Sequence, residues 1–129
     1  MVFDFLKKAG SDQKIAVYVP STSNVGTPIS TKAFNKRIKF FQHYFSKKFG
    51  GSTESNSVGT YVSEKGGLIK EPIAKIEVFT KRTPLKKHIK DFEKTVLNKV
   101  KDWGQESIAV EKNNVLHFAT RVEALKEMI

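Results

Sequence analysis

Between Ser30 and Phe49 the apolar residues Phe34, Ile38, Phe41, Phe45 and Phe49 recur at i, i+4, i+7, i+11 and i+15, a spacing that places them on one stripe of an α-helix. Ser30 or Thr31 can cap its first turn, and Gly50 can adopt the left-handed conformation that ends it. A second stripe follows in Leu85, Ile89, Phe92, Val96, Val100 and Trp103, entered through Thr83 as cap and Pro84 at the first helical position, and stopped by Gly104. Two stripes of similar length need an apolar surface to cover. The rest of the chain must supply it.

Alternating segments do so. In KIAVYVP, residues 14–20, Ile15, Val17 and Val19 point one way and Ala16 and Tyr18 the other, the period of a strand, which Pro20 stops. STSNVGTPIS has no period and reads as a loop. After GGSTESNS a short strand, VGTYV, leads through the turn SEKGG into LIKEPIAKIEVFT, where Ala74, Ile76 and Val78 oppose Lys75, Glu77 and Phe79. Pro72 lacks a ladder donor and marks an edge or bulge. SIAVEKNNVLHFAT reads as a hairpin turning at Asn113 and Asn114, with Val110 opposite His117 and Ala109 opposite Phe118. The order β-α-β-β-α-β-β is that of an α+β, ferredoxin-like fold with one extra strand, an antiparallel sheet carrying both helices on one face. The expected core is Phe34, Ile38, Phe41, Phe45, Ile89, Phe92, Val96 and Val100. Residues 14–120 form the expected domain, between an extension over 1–13 and a tail over 121–129, each able to add a helical turn.

At 129 residues the chain suits one hydrophobic core. It contains no cysteine, and its three histidines are far apart, so neither a disulfide nor a zinc site is expected. No apolar run approaches the roughly 20 residues that span a bilayer, and VFDFLKK, interrupted by Asp4, makes a poor surface anchor. The expectation is a cytoplasmic protein with no membrane contact and no small-molecule cofactor. Its formal charge of +10 favours polyanionic partners.

That charge concentrates on the first helix. Lys32, Lys36, Lys39, His43 and Lys47 form a basic stripe flanked by Arg37 and Lys48, and no acid lies between Ser30 and Gly50. Like charges at this spacing repel, so the stripe suggests a face that tracks phosphates; an ordinary solvated face is the alternative. The open side of the sheet is a second candidate. Tyr18, Lys75 and Phe79 should lie there with Tyr61, as neighbours covered by a second copy or another protein; base stacking is a further option, without the sequence pattern that usually marks it.

Signs of catalysis are sparse. His43, His88, His117, Glu54 and Glu71 are titratable candidates, but none belongs to a recognisable nucleophile or metal motif. Glu71, beside Pro72, is the acid that most merits testing. GGST at 50–53 follows a helix instead of preceding one, and so serves as a cap and turn.

VYVPST at 17–22, KKFGGST at 47–53, GTYVSEKGGLIKEP at 59–72 and GQESIAVE at 104–111 resemble segments of a family of small, functionally uncharacterised bacterial proteins. The resemblance covers most of Val17 to Glu111 and implies a single globular unit with no assigned activity. The residues therefore point first to a basic accessory protein that binds DNA, RNA or a nucleoprotein through helix one. The alternative is a protein-binding or dimerising domain, such as an inhibitor or adaptor encoded by a mobile element. The reading leans away from an enzyme.

Overall fold

The computed structural model describes residues 4–24, 26–62 and 65–126. After a short 3-10 turn at Phe5–Lys7, the elements are β1 (Gln13–Pro20), β2 (Thr22–Ser23), β3 (Thr27–Pro28), α1 (Thr31–Phe49), β4 (Thr53–Val62), β5 (Leu68–Thr80), α2 (Arg82–Asp102), β6 (Ser107–Lys112), β7 (Val115–Thr120) and α3 (Arg121–Lys126). Five strands form one antiparallel sheet in the order β4-β5-β1-β6-β7, and β2 and β3 pair as a small separate ribbon. The chain is thus a mixed α+β protein with a five-stranded antiparallel sheet and three α-helices among the described residues.

Local chemistry sets most boundaries. The Ser30 hydroxyl accepts from the Ala33 amide at 3.1 Å, and Gly50, at φ 92°, donates to the Ser46 carbonyl at 3.0 Å. Asn113 and Asn114 take positive φ at the hairpin tip, and Val110 faces His117 as the alternation requires. Two expectations are corrected. Helix α2 begins at Arg82, so Thr83 is not its cap: the Leu85 amide already bonds to the Lys81 carbonyl at 3.2 Å. Pro84 then falls inside the first turn, where an absent N–H costs no intrahelical bond. Strand β4 begins at Thr53 rather than Val58, because β5 is long enough to pair with all ten residues of β4. TESNS lacks alternation since neither of its faces is buried.

The core lies between the helices and one sheet face. Ile15, Val17, Val19, Ala74, Ile76 and Val78 join Ile38, Phe41 and Phe45 of α1 and Leu85, Phe92, Val96 and Val100 of α2 in one buried cluster. Both helices therefore cover the same face. Phe34 and Ile89 are only partly buried, at the margin of that cluster, so the expected core was too wide by these two. Phe41 is central: its ring meets Phe45, Phe92 and Trp103 at centroid distances of 6.2, 6.5 and 5.8 Å.

Because Phe41 is completely buried, Phe41→Ala should cost about 3–5 kcal/mol in urea unfolding, whereas Lys36→Ala should stay within about 0.5 kcal/mol. A loss below about 1 kcal/mol at Phe41 would contradict this placement of the core.

Candidate functional site

Strand alternation leaves Lys14, Ala16 and Tyr18 of β1, Glu71, Lys75, Glu77 and Phe79 of β5, Tyr61 of β4 and Glu111 of β6 on the face away from the helices. Its centre is an ion network. The Tyr18 hydroxyl donates to Glu111; Lys75 lies 3.2 Å from Glu111 and 3.6 Å from Glu77, and Lys14 lies 3.4 Å from Glu111 and 3.8 Å from Glu77. Lys75 also sits 5.5 Å from the Tyr18 ring centroid. Ala16, paired with Glu77 and Glu111 in the middle of this face, is completely buried although it points away from the core.

Glu111, Tyr18 and Lys75 are shifted in the sense of their pairing. The hydrogen bond from Tyr18, with help from Lys75 and Lys14, holds Glu111 below the usual carboxylate range against the opposing effect of burial. Burial and the bond to Glu111 raise the Tyr18 phenol. Burial alone would lower Lys75, but its hydrogen bond to Glu111 and the surrounding negative groups raise it. Tyr18 and Phe79 share this face without being neighbours, since Tyr18 is opposite Lys75 and Phe79 is opposite Lys14. The expected aromatic pair is replaced by a network internal to the chain.

A second polar cluster forms where β1 ends. Thr22 donates its hydroxyl to Glu71 Oε2 at 2.7 Å. The carbonyl of Thr22 accepts from two side chains, Arg37 Nη1 at 2.8 Å and Gln105 Nε2 at 2.6 Å. Arg37 Nη1 also reaches the Pro20 carbonyl at 2.8 Å, and Nη2 reaches Ser23 Oγ at 3.0 Å. The guanidinium carbon stands 4.9 Å from the Trp103 ring centroid, a cation–π contact. The Asn24 amide bonds to the Gly104 carbonyl at 2.9 Å, tying the loop to the end of α2.

The β4–β5 ribbon closes this cluster from the other side. Gly26 has a φ of 83°, which favours glycine, and a β-carbon there would come 3.2 Å from Ile69 Cδ1 and 3.8 Å from Tyr61 Oη, which places this loop against the ribbon. Gly59 pairs with Glu71, and a β-carbon there would come 2.4 Å from Ile73 Cδ1. Burial, then the charge of Glu71, raises the Tyr61 phenol. Burial lowers the Arg37 guanidinium and the charge of Glu71 draws it back. Glu71, Thr22 and Tyr61 thus form a polar cluster at the end of β1, with Arg37 and Gln105 bonded to the Thr22 carbonyl. Among the described residues Oε1 of Glu71 has no hydrogen-bond partner and can receive a donor from a ligand. No cluster of metal-ligating side chains occurs among the described residues, and no helix there is long and apolar enough to cross a membrane.

The basic stripe is only partly as expected. Lys32, Lys36, Lys39, His43 and Lys47 are exposed. Arg37, however, is 7% exposed and turned inward, and Lys48 pairs with Asp91 at 3.8 Å, beside a 2.5 Å bond from the Tyr44 hydroxyl to the same carboxylate. Arg37 lies three residues after Phe34 and four before Phe41, on the apolar stripe, and that spacing was the signal of its burial. Gln105 and Thr22 sit in segments without a period. The segments VYVPST, GTYVSEKGGLIKEP and GQESIAVE, which contain them or their partner Glu71, converge here.

No family model matches the chain, and no curated protein matches it. Two solved structures do. A phage SAM lyase in complex with S-methyl-5′-thioadenosine has a TM-score of 0.59 at 14% identity, over 87% of this chain and 92% of that chain. A phage SAM lyase in the apo state has a TM-score of 0.57 at 13% identity, over 88% of this chain and 93% of that chain. Over nearly the full length of both chains the fold is that of these phage SAM lyases, which corrects the expectation of a nucleic-acid-binding accessory module. The inward turn of Arg37 and the pairing of Lys48 remove two of the cations on which that reading rested.

The ion network predicts a pH profile. Glu111 has a depressed folded pKa, so its contribution is present above the ordinary carboxylate value of 4.5 and is lost as pH falls through the folded value. Tyr18 and Lys75 have raised pKa values, so theirs are present below about 10 and are lost as pH rises through the folded values. Glu111→Gln should cost about 1.5–3 kcal/mol at pH 7, as for a hydrogen bond to a charged group, and should flatten the acid limb in urea unfolding between pH 3 and 7. An unchanged acid limb would show that the network carries no net stability.

Proposed function

We propose that this protein is a lyase acting on S-adenosylmethionine, with the cluster formed by Thr22, Tyr61 and Glu71 as its substrate site. The likeness to the phage SAM lyases carries this reading, and the Thr22–Glu71 bond beside an unpartnered carboxylate oxygen supports it. The strand run β4-β5-β1-β6, joined through α1 and α2, further supports a ferredoxin-like arrangement with β7 as the added edge strand.

The chemistry follows from the substrate. S-methyl-5′-thioadenosine keeps the methyl and adenosyl groups on sulfur, so the bond broken is the one from sulfur to the four-carbon amino-acid chain. Sulfur takes that electron pair and leaves as a neutral thioether, which needs no acid. In a lyase reaction without water, the substrate's own carboxylate can attack the γ-carbon and close a five-membered lactone. Sulfonium and carboxylate then become thioether and ester, and atoms and charge balance with no proton moved. Such a site needs to orient the chain and exclude water more than it needs a base. This accords with a sequence that shows no nucleophile motif.

Glu71 presents an anionic oxygen to the hydroxyl and ammonium donors of the substrate and favours the cationic substrate over the neutral thioether product. Thr22 fixes its orientation, and Tyr61 forms the opposite wall. The purified protein should convert S-adenosylmethionine to S-methyl-5′-thioadenosine faster than buffer alone, with the lactone as co-product by mass spectrometry. Glu71→Gln should lower kcat/KM about 30-fold or more, equivalent to about 2 kcal/mol of a hydrogen bond to a charged group. Product formation no faster than the spontaneous breakdown of the substrate would overturn the assignment.

A further inference from the structure

Arg37 is a buried cation whose three hydrogen bonds all go to neutral oxygens: the carbonyls of Pro20 and Thr22 and the hydroxyl of Ser23. Burying a guanidinium is costly, and an apolar side chain packed against Trp103 would fill the same space without that cost. The cation therefore needs a reason to be there. Its bonds go to three of the four residues after Val19, where the chain leaves the sheet.

The geometry points to Arg37 as a positioning residue for the candidate site, acting through the Thr22 peptide on the aim of the Thr22 hydroxyl at Glu71. A single Nη1 group bridges two carbonyls two residues apart, at 2.8 Å each, which holds the turn between them at one curvature. Gln105 approaches the same Thr22 carbonyl from the end of α2 at 2.6 Å and is itself held at 2.9 Å from the Trp103 carbonyl. With two donors on its carbonyl, the Thr22 peptide has little freedom to rotate, and its side chain is left facing β5. There it meets Glu71 Oε2 at 2.7 Å, which leaves the other carboxylate oxygen without a partner among the described residues. Arg37 thus reaches the site through α1 and the core, from the side opposite to a ligand. This role rests on the lyase reading, since it assigns Arg37 to turnover as well as to folding.

A lysine cannot reproduce this clamp. Its ammonium is a point charge on a flexible stem, whereas the planar fork of arginine spans the Pro20 and Thr22 carbonyls and Ser23 Oγ together. A methionine keeps much of the volume and contact with Trp103 but donates nothing.

The test compares wild type, Arg37→Lys, Arg37→Met, Glu71→Gln and the Arg37→Met/Glu71→Gln double variant in S-adenosylmethionine turnover. Folding is checked by cooperative urea unfolding and by emission of Trp103, the one tryptophan in the chain. Arg37→Met should lower kcat about 30-fold or more with KM within about threefold, and Arg37→Lys should fall between it and wild type, because small displacements in a site cost rate more than binding. The double variant should lose no more than about threefold beyond the worse single change, since Arg37 acts through Glu71. If Arg37→Met does not fold, Arg37→Lys with its own Glu71→Gln double variant carries the comparison. Folded variants that keep wild-type kcat, or losses that simply multiply, would overturn the positioning role while leaving the lyase reading intact. A wild-type protein that does not turn the substrate over would overturn the lyase reading, and this role with it.

Discussion

The constraint on which the rest of the structure depends is the desolvated carbonyl of Thr22, with the arginine and glutamine that converge on it. Strand β1 is the middle strand of the sheet, flanked by β5 and β6, and is buried along most of its length. A central strand must end somewhere, and the peptide groups beyond its last ladder bond need partners as they turn away. Here those partners come from α1 and from the segment after α2, so the strand end, both helices and the returning chain are joined at one point. Trp103 stacks on the guanidinium and also packs on Phe41, which connects the polar junction to the apolar core.

The open sheet face follows a related logic. An antiparallel sheet covered by helices on one side leaves the other side to water or to a ligand. In this protein Lys14, Tyr18, Lys75, Glu77 and Glu111 cover the middle of that side with their own long side chains, their ionic ends paired across three strands. The longer β4–β5 ribbon runs on past the last β1 pairing, at Pro20 with Ile73, and carries Tyr61 and Glu71 to the level of the Thr22 loop. Different strand lengths thus separate a self-paired region of the face from the Thr22–Glu71 cluster at its end.

The sequence made the apolar layer legible because helical and strand periods report burial directly. The α1 stripe, the alternation of β1 and β5, and the Asn113–Asn114 hairpin all stand where their spacing places them. The polar half was harder to read. Strand β4 is an edge strand with two wet faces, so alternation carries little information before Val58. Thr83 looked like a helix cap, but caps are decided by where the first backbone bond closes. The charge of Arg37 points to the surface, whereas its position on the Phe34–Phe41 stripe points to the interior, where it lies. Alternation places Tyr61 on the open face and Glu71 stands beside Pro72, yet nothing in the spacing joins them to Thr22, which lies 39 residues before Tyr61 and 49 before Glu71. That contact belongs to tertiary structure, formed by a loop without a period.

The central claim is that the cluster at the end of β1 holds an adenosyl thioether. Its most direct measurement is a titration of the ¹⁵N-labelled protein with S-methyl-5′-thioadenosine, followed by two-dimensional NMR. The account predicts saturable shifts concentrated at the amides of Ser21 to Asn24, Tyr61, Glu71 and Gln105, and their loss in Glu71→Gln. Saturable shifts confined to the exposed face of α1, or no shifts at millimolar ligand, would contradict it.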